Sequence, residues 1–418
     1  MNRREWIGGA AALLLNRGTI AEQPSAAVRN TLPASRQEFP ISGVRTYFDS
    51  AHWHPMSVAS AAAVKSYLDY TVSRSPNVDP MLNTMEDGVR AQFAALINAT
   101  PLEIGYVQST MMGENLVLQS VSASRPGGNI VTDELHYQGS LYMYRSLQRN
   151  GRDVRIVKSR NGRIEISDLE QVIDRNTRFV ALSLVSFANG FMHDLEAVCA
   201  LAHAHRAYVY ADIVQAVGAV PLNVRTSGVD FCACSSYKWL MGDKGIGFLY
   251  VRGDLIGSVL QRTMYGKMQM TNFESHVFPY DLPLGAPATW KEVPGVPGFF
   301  EVGAYSLSGI ACLAQSLSYI RHLGVDRIQA HIRSLTTRLQ TEVPRLGLTP
   351  LTPQESGGNI VAFVVPDPAS LQKTLRAHSI KVTFDQHRMR ISPSVFNDQS
   401  DIDTFLAVLE AASPKKGN

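Results

Sequence analysis

Cysteine is scarce in this chain of 418 residues: four in all, at positions 199, 232, 234 and 312. None falls at a zinc-type spacing, and the set offers no disulfide framework. Cys199 sits on a helical pattern, Cys232 and Cys234 alternate along a strand-like run, and Cys312 lies in an apolar helical stretch. All four therefore read as buried thiols. Charge of one sign is also lacking. Thirty-nine Lys and Arg against 36 Asp and Glu leave a net +3, and no long basic run carries interleaved aromatics, so a nucleic-acid partner has no support. The apolar run from Ile7 to Leu15 is too short to span a bilayer as a helix, which argues against stable membrane insertion. The glycine-rich stretch Gly242-Asp-Lys-Gly-Ile-Gly247 lacks the Gly-Lys-Ser/Thr of a nucleotide-binding P-loop. Internal repeats and low-complexity segments are missing too. What is present is a 45% hydrophobic, 18% charged composition, enough for a sizeable core and two or three domains.

Hydrophobic periodicity divides the chain. Residues 1–40 form a leader and loose segment rich in Ala, Ser, Pro and Arg. Helical spacing covers 58–70 and 86–98, where Val89, Phe93, Leu96 and Ile97 share a face. Strand-like runs at 104–108, 128–132, 154–158, 179–185, 207–211, 229–234 and 247–251 then alternate with helices, including 169–173 and 194–205. That alternation implies an α/β fold whose mostly parallel sheet is covered on both faces. The stretch 255–300, with Met264, Met268 and Met270, breaks the rhythm and reads as irregular. Two long helices fill about 305–346. A compact α+β region follows, with strands at 359–365, 380–384 and 389–392 and helices at 370–377 and 401–412. The domains are thus expected at 41–300 (large) and 301–418 (small).

The chemistry is concentrated around Ser235-Ser-Tyr-Lys-Trp239. A lysine leaving a buried strand, with hydroxyls before it and glycines after it, suits a covalent aldehyde cofactor. The hydroxyls can hold a phosphate, and the glycines let the backbone approach it. Upstream, Ala207-Tyr-Val-Tyr-Ala-Asp212 reads as a strand ending in a carboxylate. One connection and one strand separate Asp212 from Lys238, so both emerge at the carboxyl ends of sheet strands, where open α/β sheets bind ligands. A buried carboxylate needs a cationic partner, which a protonated pyridine nitrogen would supply.

The ordered set Asp212…Gln215…Ser235-x-Tyr237-Lys238 resembles the class V aminotransferase family, over about residues 47–406. The resemblance implies the type I fold of pyridoxal-phosphate (PLP) enzymes: a large domain with a mostly parallel seven-stranded sheet and a smaller C-terminal α+β domain. It also implies PLP as cofactor and a homodimer. By resemblance Lys238 is the Schiff-base lysine, Asp212 the partner of the pyridine nitrogen and Gln215 the hydrogen-bond partner of the ring oxygen. Ser235 and Tyr237 are phosphate contacts, with Tyr237 standing where a histidine is common. Tyr106-Val-Gln-Ser-Thr-Met-Met-Gly-Glu-Asn115 resembles the phosphate loop, where Thr110 and the backbone of Met111 would meet the anion at a helix N-terminus. The ring stacked on the cofactor is Tyr137, or His136 one residue away. Arg390 would grip the substrate α-carboxylate, with Arg388 as its rival on the same strand face. Phe48-Asp-Ser-Ala-His52 resembles a segment that relatives fold over the active site, so His52 could touch substrate. A metal role for His52 and His54 lacks a third ligand, and no metal is expected. His203 and His205 read as a solvated helix face. In Phe300-Glu-Val-Gly-Ala304, relatives lend a hydroxyl to the neighbouring subunit's phosphate; Ala304 has none, leaving Tyr305 or Ser306 as substitutes.

These residues imply an enzyme acting at the α-carbon of an amino acid or a derived metabolite, of the aminotransferase or epimerase-like kind. One alternative is a PLP-dependent carbon–sulfur or carbon–carbon lyase. A second is a catalytically silent relative that acts as a binding protein. Cysteine desulfurases resemble the chain most in the cofactor residues, but they need a nucleophilic thiolate on a mobile loop in the C-terminal third, and no cysteine follows Cys312. Gly190-Phe-Met-His-Asp194 resembles the corresponding loop of kynureninases. At the N-terminus, Asn2-Arg-Arg-Glu-Trp-Ile7 resembles a twin-arginine export motif. The expectation is a periplasmic protein, with a cytoplasmic one as alternative.

Overall fold

The computed structural model describes residues 32, 35–74, 80–274 and 288–412. The twin-arginine-like segment and the apolar run behind it lie outside these residues. Seven strands build the main sheet: β1 (Ile104–Val107), β2 (Asn129–Asp133), β3 (Val154–Val157), β4 (Thr177–Ser183), β5 (Tyr208–Asp212), β6 (Phe231–Ser235) and β7 (Gly247–Val251). Their order across the sheet is β1-β7-β6-β5-β4-β2-β3. Only β7 runs against its neighbours β1 and β6; the other pairings are parallel.

Both faces are covered, as near-continuous apolar strands require. Side chains alternate along each strand. In β5, Val209 and Ala211 join one buried cluster with residues of the Leu307–Leu323 helix, while Tyr208 and Tyr210 join another with the Thr110–Ser124 helix. In β6, Cys232 and Cys234 take the first face and Phe231 and Ala233 the second. The register sets Ser183 opposite Asp212. Asp133, Ser183, Asp212 and Ser235 therefore end four parallel strands at one edge of the sheet.

Four main helices matter for the site: α1 (Pro80–Leu96), α2 (Thr110–Ser124), α3 (Gln138–Arg149) and α4 (Leu307–Leu323). The Ser109 hydroxyl caps α2 by accepting from the Met112 amide at 3.2 Å, which fixes where the helix starts. Gly113 lets α2 lie directly on β6, because a Cβ there would meet the Ala233 Cβ at 2.7 Å.

A second, antiparallel sheet has the order β8 (Val361–Val364), β10 (Arg388–Ile391), β9 (Thr383–Asp385). The segment 46–54 laces it to the main sheet. Phe48 donates its amide to the Lys381 carbonyl and accepts from the Ser392 amide, both at 2.8 Å, and the His54 amide donates to the Tyr237 carbonyl at 3.0 Å.

Several expected elements differ in detail. The strand expected over 380–384 is split at Val382: Ile380–Lys381 pairs in parallel with Thr46–Tyr47, whereas Thr383–Asp385 joins β10. The chain changes partner there because it passes from one sheet edge to another. The helix expected at 169–173 is Ile166–Glu170, since Asp168 turns back to accept from the Glu165 amide at 3.0 Å and starts the turn earlier. Helix α1 begins at Pro80 rather than at 86, with proline at a first-turn position that needs no amide donor. The stretch 255–300 is not wholly irregular: Met270–Glu274 pairs with Thr289–Glu292, and a short helix covers Gly295–Phe300.

Candidate active site

Lys238 lies just beyond β6 and Asp212 at the tip of β5, so adjacent parallel strands deliver both to the same edge. Lys238 is 8% exposed and Asp212 2%. Burial lowers the Lys238 ammonium to about 8; Asp212 opposes that shift and Arg390 adds to it. Burial raises the Asp212 carboxyl to about 6, against the pull of His136, of the Val214 amide and of Lys238. The amide of Val214 donates to Asp212 Oδ1 at 2.9 Å. The site thus holds a lysine that readily becomes a neutral amine beside a carboxylate short of a cation.

Gln215 is clamped by its amide. Its Nε2 donates to the Ala51 carbonyl at 2.9 Å, and its Oε1 accepts from Trp239 Nε1 at 2.8 Å. One Nε2 hydrogen is left over. Thr110 and Ser235 meet across the α2–β6 junction. The Thr110 amide donates to Ser235 Oγ at 3.0 Å, the Ser235 amide donates to Thr110 Oγ1 at 2.9 Å, and the two hydroxyls are 3.1 Å apart. One hydroxyl must donate to the other, which leaves a single hydroxyl hydrogen free for an anion at the N-terminus of α2. Met111 is half-buried in the same first turn.

Tyr137 and His136 part company. The Tyr137 ring centre is 6.0 Å from Lys238 Nζ. Gly139 makes room for that ring, since a Cβ there would stand 2.7 Å from Tyr137 Cε1. His136 is fully buried, with Nδ1 2.8 Å from Ser183 Oγ and Nε2 3.1 Å from Glu114 Oε1. Of the two, Tyr137 has the ring that faces Lys238. Tyr237 also faces it, at 5.8 Å.

Arg390, 5% exposed, donates from Nη1 to the Phe187 carbonyl at 2.9 Å and from Nη2 to Thr383 Oγ1 at 3.2 Å. Asp49 is 4.0 Å away, and Nε has no hydrogen-bond partner among the described residues. Burial pulls the guanidinium below its ordinary value. Arg388 instead pairs with Asp385 and lies over the Phe187 ring, 5.8 Å from its centre. His52 is exposed, and burial of part of its ring together with the charges of Arg390, Lys381 and Lys238 lowers it, while Asp49 raises it. Lys238, Arg390 and His52 therefore share one electrostatic neighbourhood.

Other expected residues are engaged elsewhere. His54 is buried between the Pro55 carbonyl and Ser394 Oγ, both at 2.8 Å. Burial lowers it to about 4. His203 is not merely a solvated residue, because its Nε2 lies 2.9 Å from the buried Asp230 carboxylate. Tyr305 donates to Glu86 at 3.0 Å, and Ser306 caps α4 by accepting from Gly309 at 3.0 Å. Phe187 and the supporting roles of Asp49, Thr383 and Trp239 escaped the sequence reading. Phe187 and Asp49 reach Arg390 from segments far along the chain, Thr383 faces it from the neighbouring strand, and Trp239 holds Gln215 from the far side of β6.

The buried amine, the under-compensated carboxylate, the helix N-terminus and the buried guanidinium match the four needs of a PLP site: an aldehyde partner, a ring-nitrogen partner, a phosphate seat and a carboxylate grip. Fold and site together define a PLP-dependent enzyme of fold type I. The chain belongs to the class-V aminotransferase family, whose model matches residues 59–405. It is 25% identical over 405 residues to a probable cysteine desulfurase of Pyrococcus abyssi, covering 90% of this chain and 96% of that protein. Its fold is that of the apo cysteine desulfurase of Thermococcus onnurineus NA1, with a TM-score of 0.80, 23% identity, and coverage of 94% of this chain and 99% of the other. The fold is equally that of a cystine C–S lyase solved with its reaction product cysteine persulfide: TM-score 0.80, 21% identity, coverage 90% and 100%.

Proposed function

We propose that this PLP-dependent enzyme is a carbon–sulfur lyase that cleaves a sulfur-bearing amino acid without an enzyme thiol. The observation that carries the reading is the joint state of Lys238 and the cysteines. The amine is buried and lowered to about 8. All four thiols are buried, and burial raises each of them, Cys312 to about 11. A thiol so placed is a poor nucleophile. Relatives named cysteine desulfurase and the structurally similar cystine C–S lyase favour sulfur chemistry over the aminotransferase or epimerase reading.

When bound, PLP withdraws electrons from the substrate α-carbon. In this proposal Asp212 holds the proton on the ring nitrogen, Gln215 and the Thr110–Ser235 pair fix ring and phosphate, and Tyr137 faces the ring. Arg390 binds the substrate carboxylate through its planar fork. Lys238 takes the α-proton onto Nζ as a neutral amine. Its lowered proton affinity lies close to the ordinary thiol value of about 8.5, so the same ammonium can hand the proton to the departing sulfur. Return of that proton to carbon instead would give the α-carbon reactions. The homodimer expected from the resemblance belongs to the same proposal, with sedimentation of the full chain as its test.

The test supplies the PLP-loaded enzyme with an S-substituted cysteine or cystine. Equal yields of pyruvate and ammonia are expected, from the wild type and from a variant with all four cysteines replaced by serine or alanine, but not from Lys238→Ala. A keto acid that keeps its side chain, formed only with an amino acceptor, would overturn the lyase reading in favour of transamination.

A further inference from the structure

Close enough to Asp212 to influence its charge lies a buried polar cluster that the reaction above does not use. Glu114, one turn into α2, is fully buried. Its Oε1 accepts from the Tyr144 hydroxyl at 2.8 Å and its Oε2 from the Ser140 hydroxyl at 2.6 Å, both from α3. His136 Nε2 approaches the same Oε1 at 3.1 Å. Both hydroxyls donate into Glu114, which is the pattern of an ionised carboxylate acting only as an acceptor. A buried carboxylate surrounded by neutral donors alone is costly, and a cation beside it offsets that cost. His136 is the group placed to be that cation.

We propose that His136, kept as an imidazolium by Glu114, is a positioning residue that holds Asp212 ionised so that it can pair with the ring nitrogen of the cofactor. The sheet makes this possible. Ser183, which meets His136 Nδ1 at 2.8 Å, stands directly opposite Asp212 in the β4–β5 register. The imidazole is thus tethered at one nitrogen to the strand beside Asp212 and at the other to α2. Electrostatics agree with the geometry. Burial alone would lower His136, but the charge and hydrogen bond of Glu114, with Asp212 and Asp133 beyond, raise it. In return His136 is the strongest influence opposing the burial that raises Asp212. The titratable groups facing His136 are Glu114 from α2, Asp133 from β2, Asp212 from β5 and Tyr144 from α3, whose ring centre is 6.1 Å away. Asp133 is tied to His193 at 3.3 Å, Tyr210 faces Glu114 and Asp212, and Lys238 faces Asp212. Lys238 is no steady substitute, because in the proposed reaction its amine is engaged by the cofactor at rest and by the α-proton during turnover.

The inference rests on the cofactor reading of Asp212 and is independent of the lyase assignment. Nitrogen-15 NMR of histidine-labelled full-length apoprotein tests it first. Both His136 nitrogens are expected to be protonated at pH 7, and in Glu114→Gln, which keeps the neighbouring hydroxyl partners, the titration should move down by about one unit or more. A neutral His136 in the wild type overturns the proposal whether or not the variant folds. The second measurement uses PLP labelled with nitrogen-15 in its ring. The ring nitrogen should be protonated at pH 7 in the wild type and lose its proton at a lower pH in His136→Gln, whereas Tyr144→Phe, which keeps the Glu114 charge, should match the wild type. An identical ring-nitrogen titration in His136→Gln would mean that the cluster is only structural and would overturn the proposal. Failure of the apoprotein to take up PLP at all would instead sink the reading of the site, while the histidine spectrum still decides the state of His136.

Discussion

Arg90 and Arg390 are both buried arginines, 8% and 5% exposed, yet they are held in opposite ways. Arg90, on α1, is paired with a carboxylate of the chain itself. Its Nη1 donates to Glu301 Oε1 at 2.6 Å and to the Ile104 carbonyl at 2.9 Å, and the guanidinium lies 4.5 Å from the centre of the Tyr106 ring. Glu301 is completed in turn by the Tyr106 amide at 2.7 Å, and the Arg90 charge is reinforced despite burial. Arg390 has a carbonyl, a hydroxyl, a carboxylate at 4.0 Å and one nitrogen without a partner. Its charge is weakened by burial. A buried charge neutralised by a carboxylate of the chain, itself completed by a backbone amide, is a structural joint. One left short costs stability unless a ligand completes it, which supports the carboxylate-binding role proposed for Arg390. Asp212 is likewise short of a compensating charge, with the opposite sign.

That contrast can be broken by removing each arginine in turn. Arg90→Ala strands the buried Glu301 carboxylate and should destabilise the protein by about 3–5 kcal/mol, read by denaturant unfolding, while KM of the folded fraction stays put. Arg390→Ala should do the reverse. Loss of a charged hydrogen-bonding partner for the substrate carboxylate is worth roughly 1.5–3 kcal/mol, so KM should rise about 10- to 100-fold with little change in the unfolding midpoint. Equal effects of the two variants on stability, with KM unmoved in both, would erase the distinction and move the carboxylate grip away from Arg390.

The same contrast explains what could be seen in the sequence. Asp212, Gln215, Ser235 and Lys238 fall within one strand–connection–strand unit, so order along the chain is also order in space, and a short motif captures it. The surroundings of Arg390 do not share that property. Asp49 and Phe187 reach it from a lacing segment and a loop after β4, while Thr383 faces it from the next strand of its own sheet. Tyr137 and His136 differ by one residue of register; the start of α3 at Gln138 and the room above Gly139 leave the Tyr137 ring facing Lys238. Glu114 was invisible for a different reason. A glutamate in the first turns of a helix ordinarily faces water, and only the third dimension shows this one sealed under α3.

A smaller effect concerns the amine. With Lys238 lowered to about 8, about one molecule in ten carries the neutral, reactive form at pH 7, against about one in 2,500 for an ordinary lysine near 10.4. The sign is that of a depressed lysine: the reactive form is gained as pH rises through 8 and lost below it. The rate at which apoprotein captures PLP, followed by its visible band, should therefore climb about tenfold between pH 6 and 7 and level off above 8. A rate still climbing steeply at pH 10 would mean that burial does not neutralise the amine.

The smallest expected effect probes the edge of the Arg390 site. Lys381 Nζ pairs with Asp49 Oδ2 at 3.2 Å, with its side chain 43% exposed. Thr383 donates to the other oxygen of Asp49, which lies 4.0 Å from Arg390. Asp49 is thus shared between an exposed lysine and the buried arginine. Removing the lysine as Lys381→Met leaves the carboxylate to lean on Arg390, where it competes with the incoming substrate carboxylate. Because an exposed pair is worth less than about 1 kcal/mol, KM should rise by no more than about fivefold and stability should hardly move. The direction matters more than the size. If Lys381 merely drew substrate in by its charge, high salt would abolish the difference between variant and wild type, whereas competition between Asp49 and substrate for a buried guanidinium persists in salt.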